Sequence, residues 1–259
     1  RIVRAPRETP LSEIMEPVTE IPVDMDQEEV AYIFDKYHLI SAPVVEPGGR
    51  LVGQITVDDV VGVIQEEGEE DMLALANVSD AGRDASVAGI VRSRIPWLLA
   101  NLVTEAVAVS AIAIFQDEVA KVVALAVLMP IISSIGGNAG TQTLAVAVRA
   151  LASRELNASN APRIIIREVI AGVINGAGLA VAMGLAVIAY YHDVRLALTA
   201  GLALIIDLFV AATGGIFAPL ILERLGRDPA VSSSIIVTFL TDLMGFFSVL
   251  AIASVMLLR

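Results

Sequence analysis

Cysteine is absent from the 259 residues, which excludes disulfides and thiolate metal sites. Histidine is almost absent as well. His38 and His192 stand far apart, so neither has metal-ligand spacing with another histidine. No phosphate-cradling P-loop and no Ser/His/Asp constellation is visible, so the sequence gives no reason to read an enzyme. The basic opening Arg1–Arg7 leads into an acidic stretch, Glu8–Glu29, rather than an apolar one, so no signal peptide is expected there. The most telling scarcity is of charge near the C-terminus. Val231–Leu258 holds one charged residue in 28, Asp242, close to its middle.

What is present is apolar. Hydrophobic residues make up 56% of the chain and the mean hydropathy is +0.76, too high for an ordinary soluble domain. Charge divides the chain in two. Residues 1–95 carry 8 Lys/Arg and 19 Asp/Glu, a net of −11, whereas residues 96–259 are almost neutral at −1. An acidic, water-facing unit therefore precedes a lipid-facing one. Acidity of this degree argues against a nucleic-acid partner and suits divalent cations.

Five segments are long enough to span a bilayer: Pro96–Phe115, Val119–Val148, Ile164–Tyr191, Leu196–Leu222 and Val231–Leu258. Trp97 and the pair Tyr190-Tyr191 mark membrane interfaces. With the acidic unit in the cytoplasm, the inner side holds Arg92, Arg94, Arg149, Arg154, Arg163, Arg167, Arg224 and Arg227. The outer side holds Lys121, Arg195 and Arg259. Eight against three places the N-terminus inside and the C-terminus outside. The first 80 residues read as α/β. A helix is expected over Asp26–Tyr37, with Val30, Ile33, Phe34 and Tyr37 apolar, then strands Ala42–Val45 and Arg50–Ile55 around a Pro-Gly-Gly turn, then a helix from Thr56. Residues 72–95 form a small and polar connector.

A carboxylate deep in a bilayer costs roughly 3 kcal/mol or more, so Asp242 must face water, a partner or an ion. The alternative is a protonated helix–helix hydrogen bond. Glu105 and Asp207 pose the same question, open between pairing inside the bundle and a role near a pore or in proton or sodium coupling. Glu168, beside Arg167, reads as an interfacial ion pair. Around Pro130, the glycines Gly136, Gly137 and Gly140 permit close backbone approach or a break in the helix. Ser133, Ser134, Asn138, Thr141 and Gln142 are polar at membrane depth, where polar backbone is tolerated only inside protein or along a water-filled path. Pore lining is the expected role of this segment, with Asn138 its best ligand-type residue. Ser234 shares the helix face of Asp242 and would border an inner vestibule. The run Glu66–Asp71 packs five carboxylates into six residues. It is either a solvated face or a place where divalent ions collect.

Five stretches resemble two known families. "LSEIMEPV" at 11–18 and "APVVEPGGRLVGQITVDDVV" at 42–61 resemble a CBS (cystathionine-β-synthase-type) repeat. "MPIISSIGGNAGTQTLAVAVRALA" at 129–152, "LERLGRDPA" at 222–230 and "TFLTDLMG" at 238–245 resemble the MgtE family of magnesium channels. The resemblance implies an α-helical polytopic membrane protein with five transmembrane helices, preceded by a small α/β CBS-type cytoplasmic domain. It divides the chain into 1–71 (partial CBS-type domain), 72–95 (a connecting, plug-like helix) and 96–259 (the pore domain). It further implies a homodimer in the cell membrane, with a Mg²⁺ pore on the two-fold axis lined by the second and fifth spans. Asp242 would stand at the cation site, and Asp59, Glu67, Glu70 and Asp71 would be cytoplasmic Mg²⁺ ligands that help close the pore. The acidic N-terminal domain and first CBS repeat usual in the family are not in this sequence, residues 1–7 look like the tail of that repeat, and a fragment is expected. Asp59 matches a position that can meet a nucleotide ribose, but ATP binding would need the missing repeat. Two other readings compete with a gated Mg²⁺ channel: an H⁺- or Na⁺-coupled transporter of a divalent cation such as Co²⁺ or Mg²⁺, and a nucleotide-sensing module on a non-conducting anchor.

Overall fold

The computed structural model describes residues 17–78, 86–156 and 160–257, together with Pro6, residues 8–10 and Glu13 and excepting the Glu118 side chain. Residues 1–5 and most of "LSEIMEPV" lie outside these, as do residues 79–85 of the connector. The chain divides into two compact units, Arg1–Glu69 and Glu70–Arg259.

In the first unit, β1 (Ile21–Pro22) pairs parallel to β2 (Ser41–Val45), which pairs antiparallel to β3 (Leu51–Thr56). Gly48 and Gly49 take φ of 120° and 81° in the turn joining β2 to β3, a backbone region that glycine enters without strain. Helix α1 (Gln27–Tyr37) begins where the Asp26 side chain accepts the Glu28 amide at 2.9 Å, and ends at His38 in the left-handed region. Its spacing delivers Val30 and Phe34 to a core shared with Ile21, Ala42 and Val60, with Ile33 half-buried beside it. Tyr37 does not join them. It is 54% exposed, with the Lys36 ammonium 5.3 Å from its ring centre. Helix α2 (Val57–Leu75) follows β3 without a loop.

The second unit is helical. Its long helices are α3 (Val87–Ile114), α5 (Ala124–Ala152), α6 (Ala161–Tyr191), α7 (Val194–Arg224) and α8 (Ser233–Met256), with a short α4 (Gln116–Lys121) after α3. The five long helices have the length and composition to cross a membrane. The shortest, 24 residues, reaches about 36 Å at 1.5 Å per residue, more than the ~30 Å of hydrocarbon. Helix α3 ends at Ile114, capped at Phe115, and the polar Gln116-Asp117-Glu118 opens the separate α4. Helix α7 is the centre of the bundle. It packs on α5, α6 and α8, and Leu204, Leu208 and Ile216 on it are fully buried. Helices α3 and α6 are mainly exposed, and α3 packs chiefly on α8. Their outward side chains, such as Leu99, Val103, Ile174 and Leu185, form an apolar surface suited to lipid.

Pro130 and the glycines leave α5 continuous from Ala124 to Ala152. The glycines serve packing. A Cβ on Gly140 would lie 2.5 Å from Val237 of α8, and one on Gly136 would collide with the Asp207 carboxylate of α7. Small residues let the three helices approach closely, so of the two alternatives it is close approach, not a break, that the glycines provide.

Candidate cation site

Asp242 is the tenth residue of α8 and half-buried. Its Oδ1 accepts a hydrogen bond from the Ser133 hydroxyl of α5. Close backbone approach makes that bond possible. A Cβ on Gly245, one turn along α8, would sit 3.1 Å from the Ser133 Cα. Gly245 therefore brings α8 down onto α5, and the short serine side chain spans what remains.

Asn138 does not occupy that place. It is exposed on α5, where Ser134, Asn138 and Thr141 form a polar stripe at i, i+4 and i+7. Its neighbour Gly137 faces Thr241, the neighbour of Asp242, with a would-be Cβ 3.8 Å from Thr241 Oγ1. The stripe and Asp242 thus flank the same helix contact, with Ser133 rather than Asn138 as the described partner of the acid. Thr241 itself is buried and bonded back to Val237 and Thr238 of its own helix.

Two more intramembrane acids come near. Asp207 of α7 is wholly buried in the notch above Gly136, and neither carboxylate oxygen has a hydrogen-bond partner. Glu105 of α3 is exposed. Acids thus stand on three helices of the bundle, α3, α7 and α8, although among the described residues no three Asp, Glu or His side chains form a metal cage. A single carboxylate and hydroxyls suit a hard cation that keeps much of its water. Glu168 pairs with Arg167 at 3.6 Å, the ion pair expected from their adjacency. Ser234 is buried and donates to the Asn77 side-chain oxygen at 2.7 Å.

The cytoplasmic candidates lie on α2. The Thr56 hydroxyl and amide donate to Asp59 Oδ2 at 2.6 and 2.9 Å. These two bonds hold the Asp59 carboxyl below the usual carboxylate range, the hydroxyl contributing most. Asp59 is thereby engaged at the start of the helix, as an acid in a capping box is. Glu67 is half-buried and accepts from the Gln27 side chain, while Glu70 is exposed and Asp71 half-buried. Glu67, Glu70 and Asp71 fall at i, i+3 and i+4, on one helical face.

Sequence reasoning found Asp242 from charge alone but missed Ser133 as its partner. The available signal was the run of small residues from Ser133 to Gly140, which marks the face of α5 that another helix meets.

Residues 129–252 match the family model for MgtE, a divalent cation transporter, and residues 6–66 match that of the CBS domain. Among curated proteins, the chain is 34% identical over 230 residues to the magnesium transporter MgtE of Bacillus subtilis, covering 88% of this chain and 51% of that protein. It is 36% identical over 260 residues to the protein of the same name from Thermus thermophilus, covering 99% and 57% respectively. The Enterococcus faecalis protein gives 34% over 239 residues, covering 92% and 53%. The chain thus spans about half the length of these relatives. The chain therefore carries a region similar to the MgtE family over residues 129–252, with a region similar to the CBS domain ahead of it over residues 6–66.

Proposed function

We propose that this chain transports Mg²⁺ across the cell membrane along a path that passes Asp242. The observation that carries this is a half-buried carboxylate, held by Ser133, at the contact of two helices long and apolar enough to cross a bilayer. The names of the relatives, magnesium transporters, support the choice of ion. Mg²⁺ gives up its water reluctantly, so one carboxylate per chain with hydroxyl and amide neighbours is an appropriate filter. In a homodimer with its pore on the two-fold axis, the Asp242 carboxylates of the two copies would face one hydrated ion, and α5 would present Asn138 to the same path. The Arg/Lys distribution supports a cytoplasmic N-terminus.

Gating by cytoplasmic Mg²⁺ belongs to the same reading. Like charges at i and i+4 repel, as Glu66 and Glu70 or Glu67 and Asp71 do on α2. Divalent ions relieve that repulsion and hold a closed state, and their loss releases it. Asp59, with one oxygen engaged by Thr56, would serve through its other oxygen.

Replacing Asp242 with alanine is expected to abolish Mg²⁺ uptake by liposomes containing the protein and by a Mg²⁺-requiring strain. Uptake at the wild-type rate overturns the assignment. A second reading, an H⁺- or Na⁺-coupled transporter, is favoured by the unpartnered, wholly buried Asp207. Flux that follows the Mg²⁺ gradient and voltage, whatever the Na⁺ or proton gradient, decides for the channel. Dependence on either gradient decides for coupling.

A further inference from the structure

A cleft opens between α3 and α8, beside Asp242 and toward the start of α8. It is an open cleft of about 420 Å³, lined by Asn77, Asn101, Thr104, Glu105 and Thr238 together with Leu98 and Leu102. The sequence pattern explains how these meet. Asn101, Thr104 and Glu105 fall at i, i+3 and i+4 on α3, one face of that helix. Thr238 stands one turn before Asp242 on α8. Asn77, with a left-handed φ of 56°, is fixed at the cleft by its bond to Ser234.

Three observations bear on what the cleft holds. Every polar side chain in it carries a hard oxygen: two amides, two hydroxyls and one carboxylate. Among the described residues no Lys, Arg or His lines it, and Asp242, a second carboxylate, stands one turn beyond Thr238 on α8. An exposed glutamate at bilayer depth beside a second carboxylate needs water and a counter-charge. The space also suits a particular guest. Six waters occupy roughly 180 Å³ at ~30 Å³ each, so a hexahydrated divalent ion fits within 420 Å³.

We propose that this cleft is a second divalent-cation site, with Glu105 as its charged ligand, holding the ion through its water shell next to Asp242. The inference rests on the reading of Asp242 as the transport site. It adds α3 to the path and gives the ion a place to wait with its hydration intact. It also gives Asn77 a function, since the residue that ends the turn after α2 supplies an amide to the cleft.

The test uses the absence of cysteine. Leu98 lines the cleft and is 61% exposed. Leu98→Cys in the full chain, labelled with a trifluoromethyl group, places one fluorine reporter there, and Mn²⁺ alone is the probe. Mn²⁺ at the site is expected to broaden the fluorine signal, and Mg²⁺ to reverse the broadening. Glu105→Gln should raise the Mn²⁺ midpoint about tenfold, the worth of one carboxylate to a hydrated divalent ion some 5 Å away in water. Glu105→Asp should stay close to wild type, and Asn101→Asp, which adds a carboxylate to the same lining, should lower the midpoint by a similar factor. Asp242→Ala should leave the broadening in place. An unchanged midpoint in both Glu105→Gln and Asn101→Asp, or broadening lost in Asp242→Ala alone, overturns the proposal. Failure of the Asp242 reading shows differently, as wild-type Mg²⁺ uptake by Asp242→Ala.

Discussion

Asp59 shows how a residue can match a ligand pattern and also carry a structural duty. Its Oδ2 takes two hydrogen bonds from Thr56, which keep the carboxyl below its ordinary value of about 3.9. A group held down in this way stabilises the folded state above its unfolded value, and that contribution is lost as the pH falls through the folded value. Thr56→Val removes the hydroxyl and leaves the amide. The Asp59 titration, followed by carboxyl carbon NMR, is then expected to move up toward the ordinary range, and acid unfolding of the domain to begin at a higher pH. Asp242 was legible in the sequence because one acid among 28 otherwise uncharged residues stands out whatever surrounds it. Its bond to Ser133 was not, because that depends on how α5 is rotated against α8. The same rotation decides that Gly136 rather than a polar residue meets Asp207. Tyr37 fits the apolar spacing of α1 yet lies outside the core because the helix ends at His38, one residue later.

At the scale of elements, the long apolar runs announced the five membrane helices well, and only their ends moved. Helix α3 begins at Val87, nine residues before Pro96, because Ser86 caps it through the Gly89 amide at 3.2 Å. Strand β1, two residues long, carries too little pattern to be seen and exists through its pairing with β2. The glycines of the membrane helices separate into two kinds by what surrounds them. A Cβ on Gly215 of α7 would lie 2.7 Å from the Gly140 carbonyl oxygen and 2.8 Å from the Thr143 Cβ, whereas Gly178 of α6 has open space around it. Gly215→Ala is therefore expected to destabilise the bundle by about 1–3 kcal/mol, since backbone must move. Gly178→Ala should leave it unchanged or raise it by up to ~1 kcal/mol through helix propensity. Denaturation in detergent micelles, followed by circular dichroism, separates the two outcomes. Equal effects would show that close approach of α5 and α7 is unimportant.

At the scale of the whole molecule, the change in charge along the sequence foretold an acidic unit ahead of a nearly neutral one. The division between compact units falls after Glu69, inside α2, so this helix begins in one unit and ends in the other. The acidic run lies on that stretch, where repulsion between carboxylates opposes helix formation. Mg²⁺ is expected to slow amide hydrogen exchange across residues 66–75, relative to Na⁺ at equal ionic strength. The triple variant Glu67→Gln, Glu70→Gln, Asp71→Asn should lose that protection. Protection that persists in the variant would place the ion elsewhere.

The bundle is unevenly held. Helix α7 is enclosed by protein, whereas α3 leans chiefly on α8 and turns its remaining sides outward. Pro96 interrupts its ladder where the Arg92 carbonyl would have been paired. A helix gripped on one flank, with a hydrogen bond missing near its start, adjusts its tilt to the thickness of the surrounding hydrocarbon more readily than an enclosed one. Glu105 travels with it. On the proposed path past Asp242, the width of that space would then follow acyl-chain length, and Mg²⁺ flux through the reconstituted chain is expected to change with bilayer thickness.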